Sequence, residues 1–135
     1  MKKRKEIGQS LVEFALMLPI LLLILAGVLD LGRMFYSYIA VTDAAAEGAA
    51  YPPIYPNDTT GIRDRVVAAS GGMAVIDRNL VSVDCPRCPT ITTGDRITVT
   101  VQFSYTLATP FISAIVDGGV LRLSARASES ILATR

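Results

Sequence analysis

Cys85 and Cys88 are the only cysteines in this chain, and it has no histidine. The spacing Cys85-Pro86-Arg87-Cys88 admits three uses. A thiol–disulfide exchanger needs its first thiolate activated, commonly at a helix N-terminus within a βαβ unit. Here the motif ends a strand-like run, and Pro89 to Asp95 reads as a turn into the next strand, so that setting is missing. Zinc needs four ligands. With no further cysteine and no histidine, a zinc site within one chain is all but excluded, and neither metal nor cofactor is expected. The remaining use is a short structural disulfide in an oxidising compartment, closing a tight loop between two strands. A Ser-His-Asp triad is excluded outright. No glycine-rich phosphate loop is present, and the carboxylates are scattered over turns without a paired spacing. No catalytic residue emerges, and an enzyme is not the expectation.

One other group carries unusual chemistry: Glu13, at the head of an apolar run. Phe14 to Leu29 holds no charge. Its Phe, Leu, Ile and Val residues sum to roughly −3 to −7 kcal/mol on an insertion scale. A helix from Gln9 to Leu31 would measure about 34 Å, enough to cross a bilayer. That stretch takes in Glu13 at one end and Asp30 at the other, with Asp30 beside Arg33 as a pair at the membrane boundary. A carboxylate at the edge of hydrocarbon is costly and usually has a partner. Glu13 has two candidate partners: Lys5 or a lipid amine in the headgroups, or a new N-terminus made by cutting the chain. Lys2, Lys3, Arg4 and Lys5 stand against Glu6 in a basic leader that ends at Gly8. From Arg33 onward the charges cancel, so the bias places the N-terminus in the cytoplasm and the rest outside. The balanced exterior argues against a nucleic-acid partner, which wants a basic stripe. A removed secretory signal is the competing reading, but Leu25-Ala26-Gly27 is followed by Val28, and the helix pattern runs on.

A basic leader, Gly8, then Glu13-Phe14 at the head of an apolar helix resembles the processing site of Flp-type pilins and pseudopilins. The resemblance implies cleavage by a membrane aspartyl peptidase between Gly8 and Gln9. Glu13, fifth in the mature chain, would then answer the new ammonium of Gln9. Two charges that are each costly to desolvate are tolerable as a pair. The helix continues as Asp30-x-Gly32-Arg33-x-Phe35-x-x-Tyr38 and Asp43-Ala44-Ala45-Ala46-Glu47-Gly48-Ala49-Ala50, which is similar to TadE-like pseudopilins of tight-adherence (Flp) pilus loci. Ala46 and Ala50 depart from that pattern, in which both positions are often arginine. The resemblance implies a bacterial inner-membrane subunit with a single span. Its partners would be membrane lipid, a prepilin peptidase, other pilin-like subunits and the pilus assembly platform.

These groups need elements to hold them. Alanine-rich residues 33–50 continue the helix, with Phe35, Tyr38, Ile39, Val41 and Ala45 as an apolar stripe. Tyr36 and Tyr38 suit an interfacial belt. Pro19 should bend or loosen the span, since it frees the Ala15 carbonyl. Ala40, Ala44 and Gly48, spaced by four, admit another backbone or pack on the chain's own sheet. Tyr51-Pro52-Pro53 stops the helix. Beyond it, 62–70 reads as a short amphipathic helix ended by Gly71-Gly72. Three alternating runs follow: Leu80 to Cys85, Arg96 to Leu107 and Val120 to Ser128. A short helix is expected over Thr109 to Val116. One-sided alternation means an antiparallel sheet with one face covered, by the outer half of the long helix.

The 135-residue chain is thus expected to be α+β and pilin-like. Residues 1–8 form a leader, 9–50 a helix that is transmembrane in its first half, and 51–135 a small antiparallel-sheet exterior domain. A membrane-anchored thiol oxidoreductase and an uncut envelope adaptor are the alternatives.

Overall fold

Helix α1 (Arg4–Ala50) spans 47 residues, about 70 Å at 1.5 Å per residue. The computed structural model describes residues 4–55, 57–72, 74–109, 113–114 and 117–132; Lys2 and Lys3 of the leader lie outside them. The helix begins ahead of Gly8, so the glycine sits inside it, and it continues past Pro19. From Gly8 to Leu25 every residue is exposed, and Asp30 is the first buried one. That change divides α1 into a bare apolar half and a half that carries the rest of the chain.

The outer half packs through small residues. Val41, Ala44, Ala45 and Ala49 are buried in one core with Ile62, Val66, Val81, Val99, Val101 and Ala125. The stripe expected from Phe35 through Ala45 is therefore split. Val41 and Ala45 face the core, while Phe35, Tyr38 and Ile39 are exposed. The reason is spacing. Buried positions 30, 37, 41, 44, 45, 48 and 49 recur at intervals of three, four and seven, and bulky side chains there would hold the sheet away. Ala44 and Gly48 are thereby used within the chain. A Cβ on Gly48 would strike the Val66 side chain and lie 3.4 Å from Val99 Cγ1.

After Tyr51 and the buried Pro52, helix α2 (Thr59–Ala69) lies along α1. Asp58 caps it, accepting from the Gly61 N–H at 2.8 Å. It begins three residues before the expected Ile62. It stops at Ser70, which is extended, rather than at Gly71-Gly72. The Ser70 hydroxyl donates to the Val67 carbonyl at 2.6 Å and so satisfies the helix end without a glycine.

Strands β1 (Val81–Asp84), β2 (Arg96–Thr106) and β3 (Val120–Ser130) form an antiparallel sheet in that order. Val81 faces Val101, and Thr106 faces Val120. Ile97, Val99, Val101 and Tyr105 of β2 are buried, whereas Gln102, Ser104 and Thr106 are exposed. The covered face lies against α1, as the alternation requires. A second cluster, Ile91, Ile97 and Ile131, closes the sheet end beside Cys85. Of the helix expected over Thr109–Val116, residues 110–112 and 115–116 lie outside the described residues.

Candidate functional site

The residues singled out by sequence fall at three places along the fold. At the inner end of α1, Gln9 Nε2 donates to Glu13 Oε1 at 3.2 Å, one helix turn away. Side chains on a helix lean toward its N-terminus, so Glu13 is aimed at Gln9. Glu13 and Phe14 are both exposed and make no contact with the sheet domain. At Gly8 an added Cβ would meet no atom within 4 Å. A glycine inside a helix costs about 1 kcal/mol relative to alanine. Nothing in the described packing calls for one at position 8, in contrast with Gly48. Gly32 is equally free of neighbours.

At the outer end of the apolar run lies Asp30, 4% exposed. Its two carboxylate oxygens accept separate backbone N–H groups, from Ala108 at 3.3 Å and Thr109 at 2.9 Å. The Tyr105 hydroxyl donates to the Asp30 carbonyl at 3.4 Å. Arg33 is exposed, and among the described residues no ion pair joins it to Asp30. Asp30 thus clamps the end of β2 to the helix. Sequence reasoning missed this, because the donors, the Ala108 and Thr109 amides and the Thr109 side chain, lie far along the chain. The available signal was the costly carboxylate itself, which needed a partner.

The third place is the far end of the sheet. Cys85 and Cys88 are joined by a disulfide, with Cα atoms 5.5 Å apart. The following turn is tied by Asp95. Its carboxylate accepts the Thr92 N–H at 2.8 Å, the Thr92 hydroxyl at 3.0 Å and Arg87 Nη1 at 2.8 Å. The Thr92 N–H, with the Thr92 hydroxyl and the Arg87 charge, holds the Asp95 carboxyl below its usual range against the opposing effect of desolvation. Among the described residues, no helix begins at either cysteine. Among the described residues, no three His, Cys, Asp or Glu side chains gather as a metal site would require.

A corner between α1 and α2 was not anticipated. The Tyr51 hydroxyl donates to Asp58 Oδ2 at 3.0 Å, which raises the Tyr51 pKa. Arg65 lies 5.5 Å from the Tyr51 ring centroid and bonds Glu47 at 3.0 Å. A second ion pair joins Arg78 to Asp64. These groups satisfy one another and fix the helix junction.

The segment Gly8–Ala50 is long and apolar enough to cross a membrane, and its most apolar stretch is left bare by the rest of the protein. One such N-terminal helix points to a single-pass anchor. Residues 8–50 match the family model of the TadE-like proteins. The match agrees with the resemblance carried by Gly8, Glu13 and the alanine-rich block. No curated protein and no solved structure matches the chain.

Proposed function

We propose, from a TadE-like anchor helix that points to a Tad/Flp pilus-associated protein, that this chain is a minor pilin-like subunit in the assembly of a Flp-type pilus. Its helix holds it in the bacterial inner membrane with the sheet domain outside. A prepilin peptidase cuts after Gly8. Cutting turns Gln9 into the N-terminus, and Glu13 then faces an ammonium instead of the Gln9 amide. In lipid such a pair makes both charges tolerable. Other pilin-like subunits and the assembly platform are the partners of the mature helix. The role is structural, and no catalytic residue is assigned.

One observation carries the reading: the TadE-like match over residues 8–50 takes in Gly8 and Glu13, at the inner end of the exposed apolar half of α1. A small residue with free space around it suits an enzyme that must close on the backbone. Gly8→Leu leaves the fold intact and blocks maturation in cells that hold the peptidase. Normal cutting of Gly8→Leu, seen as the usual mass loss, would refute the site.

A further inference from the structure

The Asp30 clamp also sets the height of the domain above the bilayer. Asp30 is the first charge after the apolar run, so it marks the outer edge of the hydrocarbon. Its carboxylate holds the Ala108 and Thr109 amides directly, with no spacer between helix and domain. β2 runs back along α1, for Tyr105 reaches Asp30 while Val99 lies against Gly48. The pair Thr106–Val120 therefore stands at most about 7 Å above Ala108, the reach of two fully extended residues at ~3.3 Å each. The Leu107 N–H donates to the Gly119 carbonyl at 2.9 Å and fixes that end of the sheet. The headgroup layer is about 5–8 Å deep on each side. On α1, Leu31 to Tyr36 fall within about 9 Å of Asp30 and occupy the same layer.

The exposed side chains at that height suit lipid. Val120 is 43% exposed at the tip of β3. Leu31, Phe35 and Tyr36 are exposed on the helix, and Arg33 among them can reach a phosphate. We propose that the sheet domain rests on the bilayer: the Asp30 clamp seats the β2–β3 end in the headgroup layer, with Val120, Leu31, Phe35 and Tyr36 against lipid. This rests on the reading of α1 as a membrane anchor.

The chain has no tryptophan, so a single introduced one reports its surroundings alone. Full-length protein in phosphatidylcholine vesicles is compared with and without acyl-brominated lipid. The reporters are Leu22→Trp in the span, Val120→Trp and Thr106→Trp at the proposed contact, and Ile54→Trp past the outer end of α1. Strong quenching with blue-shifted emission is expected from Leu22→Trp, weaker quenching from Val120→Trp and Thr106→Trp, which pair at one height, and none from Ile54→Trp. Adding Asp30→Ala should lower the Val120→Trp quenching while Leu22→Trp keeps its own. Val120→Trp and Thr106→Trp as unquenched as Ile54→Trp, with Leu22→Trp quenched, would overturn the contact and leave the anchor standing. An unquenched Leu22→Trp would overturn both.

Discussion

At Gly48 α2 packs against α1 with no room for a side chain, and the packing can be measured by spoiling it. In Gly48→Ala two effects oppose. Alanine gains about 1 kcal/mol over glycine inside a helix. Its Cβ, however, would strike the Val66 side chain, which is fully buried, and approach Val99 at 3.4 Å. Overpacking of a filled core costs about 1–3 kcal/mol. The clash should win, leaving a net loss of about 1 kcal/mol, or a midpoint lower by about 4–8 °C for a domain of this size. Val66→Ala alone removes two buried methyl groups, about 1.6 kcal/mol by transfer with a cavity term in addition. The double variant gives the new Cβ room where Val66 stood. Its loss should fall short of the sum of the single losses by about 1 kcal/mol or more. Thermal unfolding of the full chain in detergent, followed by circular dichroism, supplies all four corners of the cycle. A stabilised Gly48→Ala with additive losses would refute the packing argument, because helix propensity alone would then govern position 48.

Asp30→Ala should speed hydrogen exchange at the Ala108 and Thr109 amides and leave the Gly48–Val66 contact unchanged; unaltered exchange at both would show that the clamp is not formed. The Asp95 carboxyl is held below its usual range, so its stabilisation of the turn is present above the unfolded value near 3.8 and is lost as pH falls through the lower folded value. Exchange at the Thr92 amide should therefore rise only in acid below that window, and Asp95→Asn should abolish the dependence. Removing the disulfide with Cys85→Ser and Cys88→Ser should cost about 2 kcal/mol, since by the loop-entropy estimate a closed loop this short restricts few unfolded conformations. The native protein should show no insulin reduction, and measurable turnover would revive the oxidoreductase alternative. Glu13→Ala should spare cutting after Gly8 but weaken pilus assembly; full assembly would show the charge pair to be dispensable.

Much of the fold was legible because its signals are local. The alternation from Ile97 to Tyr105 marks the covered face of β2, which the structure buries. Tyr51-Pro52-Pro53 ends the long helix where backbone chemistry says it must, at Ala50. Hydrophobicity misled on the outer half of α1, where Phe35 and Ile39 looked like core and are exposed. Close packing of a helix on a sheet and a second helix selects small side chains, and the pattern of Ala44, Ala45, Gly48 and Ala49 carried that information instead. Ser70 ends α2 with its own hydroxyl, a choice that the neighbouring Gly71-Gly72 disguised. For Asp30 the need of a partner was legible, but the partner was not. Two of its donors are main-chain groups of Ala108 and Thr109, which any residue type but proline would offer, and the Thr109 side chain adds a third. Glu13 could be picked out as a carboxylate costly at the edge of an apolar run, and Gly8 by its place between a basic leader and that run; the family match over residues 8–50 ends where the sheet domain's own sequence begins.

The most direct measurement is the intact mass and N-terminal sequence of the protein extracted from membranes, with and without an active Flp-type prepilin peptidase. Loss of residues 1–8 with the peptidase, leaving Gln9 first, is the predicted result. A chain that keeps its leader beside an active peptidase would contradict processing at Gly8 and leave an uncut anchored domain.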